Sequence, residues 1–328
     1  MNMKKMMIFA MSAIMMAACS SDNENMNPNG EGDNGNNDGK TVELQISGGI
    51  LAEIAKAQTR AANSAWEASD AIGIYAVATG GTTAITGGEN VSYTASEAAE
   101  TNGTSYTSFS ATSGTSIALP NDGSAIDVYG YYPYTASVTP TGQTINVATQ
   151  TSQKAIDWMT TGRTDKTTRG GSTTITKANP SCQLLFAHRL CKLQLNLVHG
   201  SGLTATDITT SPSVSIAGLP TAATLNLYTG AVSSQGAPAA IAPVQMGTAE
   251  TDYDASFEAI ILPYTTTAAH AVTLTLNGKN YAFNIVSGKT FAAGNKYTYN
   301  VTVNAAGLAI SAAITPWGNG GSENVTAQ

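Results

Sequence analysis

The sequence predicts an all-β protein. Apolar and polar residues alternate with period two in segment after segment, and no stretch of helical period stands out beyond an ambiguous one at 49–57. Turn residues recur roughly every 8–15 positions, the spacing of a sandwich.

The strands follow in order. Val42, Leu44 and Ile46 alternate with polar neighbours. Ile72 and Ile74 lead into Tyr75 and Val77, and Ile126 and Val128 run on to Tyr132. Leu225 and Leu227 alternate, as do Val272, Leu274 and Leu276. Tyr281, Phe283 and Ile285 follow across Asn277-Gly278, the strongest hairpin signal in the chain. Tyr297, Tyr299, Val301 and Val303 form the next strand, and Leu308, Ile310, Ala312 and Ile314 the last.

The segment 182–199 changes parity. Its apolar residues begin even (Leu184, Phe186, Leu190) and finish odd (Leu193, Leu195, Leu197). A strand cannot change face without an extra residue, so a β-bulge is predicted near Cys191–Lys192, with a short helix over 184–191 as the alternative. Cys182 and Cys191 share this extended segment. At roughly 3.3 Å per residue they stand about 30 Å apart, beyond disulfide reach, and two buried free thiols are expected.

The amino-terminal residues are of another kind. Lys4 and Lys5 precede an apolar run from Met6 to Met16, the length of a signal h-region and too short to span a bilayer. Met16-Ala17-Ala18-Cys19 resembles a lipobox, which implies cleavage after residue 18 and lipid on Cys19. The acyl chains would then hold the outer membrane. Residues 19–40 are polar, acidic and rich in Asn and Gly, and are read as a flexible tether. Asp and Asn alternate there, but the spacing of a calcium loop fails and no closing Glu is present.

Composition narrows the function. Charged residues make up 11% of the chain and net charge is −7, which disfavours nucleic acid as a partner. His188, His199 and His270 have no metal-ligand spacing, and no nucleophile elbow, P-loop or dinucleotide fingerprint occurs. Asp122, Asp127, Asp157 and Asp165 are scattered. No enzyme, metal or cofactor is expected.

Four stretches together resemble the fimbrillin family, the type V pilus subunits of Bacteroidetes. Trp66-Glu67-Ala68-Ser69-Asp70-Ala71-Ile72-Gly73-Ile74-Tyr75 is similar to the family's Trp…Gly-Asp-x-Ile-Gly-Ile-Tyr, with Ser69 in place of the common Gly. Tyr129-Gly130-Tyr131-Tyr132-Pro133-Tyr134 resembles its aromatic strand. Phe186-Ala187-His188-Arg189-Leu190-Cys191-Lys192-Leu193 resembles Phe-x-His-x-Leu-Ala-Lys-Leu, with Cys191 where Ala is usual. Ile314-Thr315-Pro316-Trp317 resembles the closing Ile-x-x-Trp. Ser20-Ser21-Asp22 is similar to the acidic surface-export signals of lipoproteins from the same bacteria.

The resemblance implies two tandem β-sandwich domains of transthyretin-like topology, here 41–179 and 180–328. It implies export as a surface lipoprotein, proteolysis after an Arg in an early loop, loss of the first strand, and polymerisation with neighbouring fimbrial subunits by donor-strand exchange. Gln58-Thr59-Arg60-Ala61-Ala62 is the matching loop, with the cut between Arg60 and Ala61. The removed segment 41–60 carries Val42, Leu44 and Ile46. The donor candidate is the strand of Leu308, Ile310, Ala312 and Ile314, with Trp317 either anchoring it or closing its own domain. Two other readings stay open. One is an anchor subunit that keeps its lipid and first strand. The other is a glycan- or host-protein-binding module using Tyr131, Tyr132, Tyr134 and Trp158.

Overall fold

The strand from Ala71 to Ala78 explains much of the architecture, because six consecutive residues of it are buried. Ile72, Ile74 and Ala76 enter one apolar cluster, while Tyr75 and Val77 enter another. The strand Ile126–Tyr132 behaves alike: Ile126, Val128 and Tyr132 face the first cluster, Tyr129 and Tyr131 the second. Period two puts alternate residues on opposite faces, so a wall between two cores must be apolar on both.

The computed structural model describes residues 40–51, 65–96, 99–100, 106–161, 174–316 and 325–326. The chain runs β1 (Gln45–Ile50), β2 (Ala65–Trp66), β3 (Ala71–Ala78), β4 (Val91–Ala95), β5 (Ala99–Glu100), β6 (Thr107–Ala111), β7 (Ile126–Tyr132) and β8 (Gln143–Asn146). A one-turn helix α1 (Gln153–Ile156) precedes β9 (Met159–Thr160) and β10 (Ser181–His188). There follow β11 (Cys191–His199), α2 (Ala205–Thr209), β12 (Ser213–Leu225), β13 (Val232–Ile241), β14 (Val244–Gln245), β15 (Ala255–Ile261) and β16 (Tyr264–Thr265). The chain continues through β17 (His270–Leu276), β18 (Lys279–Ile285), β19 (Thr290–Phe291), β20 (Asn295–Asn304), β21 (Gly307–Pro316) and β22 (Val325–Thr326).

The first half is a closed sheet in the order β1-β10-β9-β7-β3-β4-β6, with β6 returning to β1. The second half is two sheets, β14-β15-β11-β20-β21-β22 and β13-β12-β17-β18, with β8 added beside β12. Leu193, Leu195 and Val301 from the larger sheet share one cluster with Ile216, Val272 and Leu274 from the smaller, so these sheets form a sandwich. The all-β expectation holds. The Asn277-Gly278 hairpin also forms where expected: both residues have positive φ (49° and 76°), and Leu276 pairs with Lys279.

The parity change at 182–199 has another cause than the expected bulge, and no helix replaces it. β10 and β11 lie in different sheets, β10 beside β1 and β11 between β15 and β20. The two residues between them make the crossing. The Arg189 amide donates to Trp158 O (2.9 Å), its guanidinium Nε to Thr160 Oγ1 (2.7 Å), and Leu190 is wholly buried. The boundary expected at 179/180 thus falls before the point where the chain changes sheets. Cys182 and Cys191 are buried in different clusters and are not joined by a disulfide.

Local contacts account for the aromatic motifs. Ser69 has φ 76°, a left-handed conformation that costs a side chain about 1 kcal/mol or more and suits glycine. The Asp70 carboxylate accepts from Glu67 N (2.8 Å) and closes the same turn. Gly73 lies under the Tyr131 ring, and a Cβ at Gly130 would stand 2.6 Å from Phe186 Cζ.

Two outcomes are expected from these contacts. Ser69→Gly raises stability by about 1 kcal/mol, which a thermal melt reads as an increase of roughly 2–4 °C. Gly130→Ala overpacks the Phe186 ring and lowers the urea midpoint by the equivalent of about 1–3 kcal/mol.

Candidate functional site: the seam closed by the first strand

β1 closes the first sheet between two strands distant in sequence. On one side it runs parallel to β10, from Gln45↔Ser181 to Ile50↔Phe186. On the other it runs antiparallel to β6, with Ile46↔Phe109, Ser47↔Ser108 and Gly48↔Thr107. Backbone bonds extend the seam at both ends. Leu44 N donates to Ile117 O (2.9 Å), Leu119 N to Val42 O (2.9 Å), and Leu51 N to Phe186 O (2.7 Å).

The inward positions are Val42, Leu44, Ile46, Gly48 and Ile50. Leu44, Ile46 and Ile50 are buried, and Val42 packs against the same cluster. Burial of each of the three is worth about 1.5–3 kcal/mol. The Trp66 indole lies beneath the strand, its Nε1 donating to Gly48 O (3.1 Å). Its ring meets Phe109 and Phe186 edge-on, each at 5.2 Å, and Tyr132 at 5.6 Å. This glycine notch among aromatic rings was missed by sequence reasoning. Its visible signal was Gly48-Gly49 inside an alternating strand, where glycine marks a close approach.

Each flank has a second partner. β6 pairs with β4 through Tyr93↔Ala111, Thr94↔Ser110 and Ala95↔Phe109. β10 pairs with β9 through Ala187↔Thr160 and His188↔Met159. Loss of β1 would therefore leave both neighbours attached and an apolar groove between two unpaired edges.

The donor candidate, β21, is less deeply buried than β20. β21 pairs with β20 from Asn295↔Pro316 to Asn304↔Gly307, and β22 adds Ser311↔Thr326 and Ala312↔Val325 on its far side. Leu308, Ile310 and Ala312 are only half-buried against the core, whereas Val301 and Val303 of β20 are wholly buried. Ile314 pairs with Tyr297. Cys19, Arg60, Ala61 and Trp317 lie outside the described residues.

The other candidates are structural. Tyr131, Tyr132 and Trp158 are buried, with Trp158 stacked on Tyr131 at 6.2 Å, and Tyr134 packs partly buried against the second core. Tyr131, Tyr132 and Trp158 thus present no open face to a sugar. His188 Nδ1 pairs with Asp157 Oδ1 (2.9 Å), His199 Nδ1 with Asp254 Oδ2 (2.8 Å), and His270 Nδ1 bonds Ala217 O (3.0 Å). Asp122 caps Ser124 and Asp127 accepts from Gly80 N, while Asp165 lies outside the described residues. Burial pushes the Cys191 thiol well above its usual range, away from nucleophilic thiolate. Among the described residues no group of His, Cys, Asp and Glu could hold a metal ion.

Comparison with known proteins places the chain. The fimbrillin-like family profile matches residues 59–317. The chain belongs to the fimbrillin-like family. It is 33% identical over 341 residues, covering 99% of both chains, to Fim1C of Bacteroides uniformis, a protein named as a candidate fimbrium subunit. Its fold resembles the crystal structure of a candidate cell-adhesion protein from Bacteroides uniformis, with TM-score 0.66 and 30% identity over 84% of this chain and 98% of that one. A candidate cell-adhesion protein from Bacteroides ovatus shares the fold, with TM-score 0.59 and 22% identity over 85% and 98%.

The seam carries its own expectation. Leu44→Ala removes a buried side chain from this fimbrillin-like chain before any cleavage, and lowers unfolding stability by about 2–5 kcal/mol in urea titration.

Proposed function

We propose that the chain is a fimbrial subunit exported as a lipoprotein through Cys19, cleaved between Arg60 and Ala61, and polymerised by donor-strand exchange. The supporting observation is the placement of β1. It fills a seam between β6 and β10, both of which keep a second strand partner, and it precedes every other described strand. One cut after it separates it from the rest of the chain.

The physics is strand addition. Main-chain bonds along the vacated edges supply affinity, and alternate side chains entering the emptied positions supply register. Head-to-tail addition at such an edge does not close on itself, so it grows a filament. The two β units are taken as the family's tandem transthyretin-like sandwiches, the first with its layers joined at both margins into a closed sheet. The donor is β21, whose inward residues give up less burial on leaving than those of β20 would. The partners are neighbouring fimbrial subunits at the outer membrane surface, and adhesion is the role that relatives described as cell-adhesion proteins support.

A second reading has its own observation. With β1 in place the first sheet is closed and offers no open groove. That is the arrangement an anchor subunit would keep, together with its lipid, or a non-polymerising surface adhesin.

Intact mass and amino-terminal sequencing of the protein from its native surface separate the two. Strand exchange gives mature chains that begin at Ala61 and ladders that resist SDS until boiled. Lipidated Cys19 on all mature material, with no ladder, overturns polymerisation and leaves the anchor or adhesin.

A further inference from the structure

Two stretches at opposite ends of the chain share one pattern. Leu44-Gln45-Ile46-Ser47-Gly48-Gly49-Ile50 and Leu308-Ala309-Ile310-Ser311-Ala312-Ala313-Ile314 have Leu, Ile, Ser and Ile at the first, third, fourth and seventh places. Both carry two small residues at the fifth and sixth. The first stretch is β1 with the residue before it; the second lies within β21.

In β1 the small fifth residue is imposed by its surroundings. A Cβ on Gly48 would stand 2.9 Å from Phe109 Cε2 and 3.2 Å from Phe186 Cε2. A methyl group there needs the rims of two rings to yield by a few tenths of an ångström. A branched or long side chain needs far more, in a core with little free space. The Trp66 indole, bonded to Gly48 O, holds the backbone close to those rings.

We propose that this notch selects the strand that fills the seam, and that residues 308–314 of a second copy of this chain fit it in the register of residues 44–50. The inference rests on the strand-exchange reading above. Leu308 then takes the place of Leu44, Ile310 lies opposite Cys182 and Phe109, Ala312 enters the notch opposite Leu184 and Thr107, and Ile314 lies opposite Phe186.

The register is unique for this strand. A slip of one residue turns Leu308, Ile310 and Ile314 outward and leaves only Ala309, Ser311 and Ala313 facing inward. A slip of two drives Ile310 or Ile314 into the notch, and neither fits. β20 offers Tyr297, Tyr299, Val301 and Val303 at its inward positions, with no small residue among them. The chain is thus complementary to itself, and a homopolymer needs no other donor.

Engineered cysteine pairs in the full chain, produced and processed by the native cells, test the register. Ser47 pairs with Ser108 across the β1–β6 ladder, so Ser311 of the donor faces Ser108 in the proposed register and Ser110 only after a two-residue slip. Ser108→Cys with Ser311→Cys is expected to give ladders that survive boiling and collapse on reduction. Ser110→Cys with Ser311→Cys is expected to give at least tenfold less. Equal or stronger linkage through position 110 overturns the register. Absence of linkage from both pairs, with SDS-resistant ladders still present before boiling, overturns the choice of strand and leaves strand exchange standing. Absence of ladders from the unaltered chain overturns both. The notch has its own check: Ala312→Gly keeps the ladder, and Ala312→Leu abolishes it while the monomer's melting temperature stays within a few degrees. Polymerisation of Ala312→Leu at the unaltered level overturns the notch. The cysteine pairs leave the core unchanged and decide the register even if Ala312→Leu fails to fold.

Discussion

The first half of the molecule depends on a close approach between glycine backbone and aromatic rings. Trp66, Phe109, Phe186 and Tyr132 meet edge-on inside the closed sheet. Such contacts add about 0.5–1.5 kcal/mol each beyond area burial. Gly48 and Gly130 give them room, since a Cβ at either position would crowd Phe109 or Phe186. The same packing that fills the interior also decides what can occupy the first strand position. In this chain the core of the closed sheet and the seam filled by β1 are therefore one set of contacts.

A second constraint couples the halves. β3 and β7 serve two cores at once, and Tyr75, Val77, Tyr129 and Tyr131 leave the closed sheet to join the sandwich residues. Tyr129 meets Tyr228 at 4.9 Å, and Tyr75 meets it at 6.2 Å. Burial, with Tyr228 and Glu89 nearby, pushes the Tyr75 hydroxyl up to about 12. Tyr75 therefore stays neutral at physiological pH and behaves as apolar filler with a polar tip. β8 reinforces the joint, since it follows β7 in the chain yet pairs with β12.

Most strands were legible in the sequence, because a sheet with one buried face writes itself as alternation. Val272, Leu274 and Leu276, the Asn277-Gly278 turn, and Leu308 to Ala312 all stand where the pattern put them. The segment 182–199 was misread for a physical reason. Parity says that a face changes but not how, and a bulge within one sheet and a passage between two leave the same signature. The aromatic residues proposed for sugar binding were equally ambiguous, since a tyrosine on a strand between two cores looks in sequence like a tyrosine facing water.

The sequence by itself determined the all-β class, most of the strands, and the family, because period, turn chemistry and motif order are local properties. The repeated Leu-x-Ile-Ser pattern also stood there, without a reason to connect its two copies. Only the tertiary structure supplied that reason. Which strands lie beside β1, and which rings crowd Gly48, follow from contacts between residues far apart in the chain, such as Gly48 with Phe109, Leu184 and Phe186. Alternation fixes which way a side chain points; only packing decides what it meets.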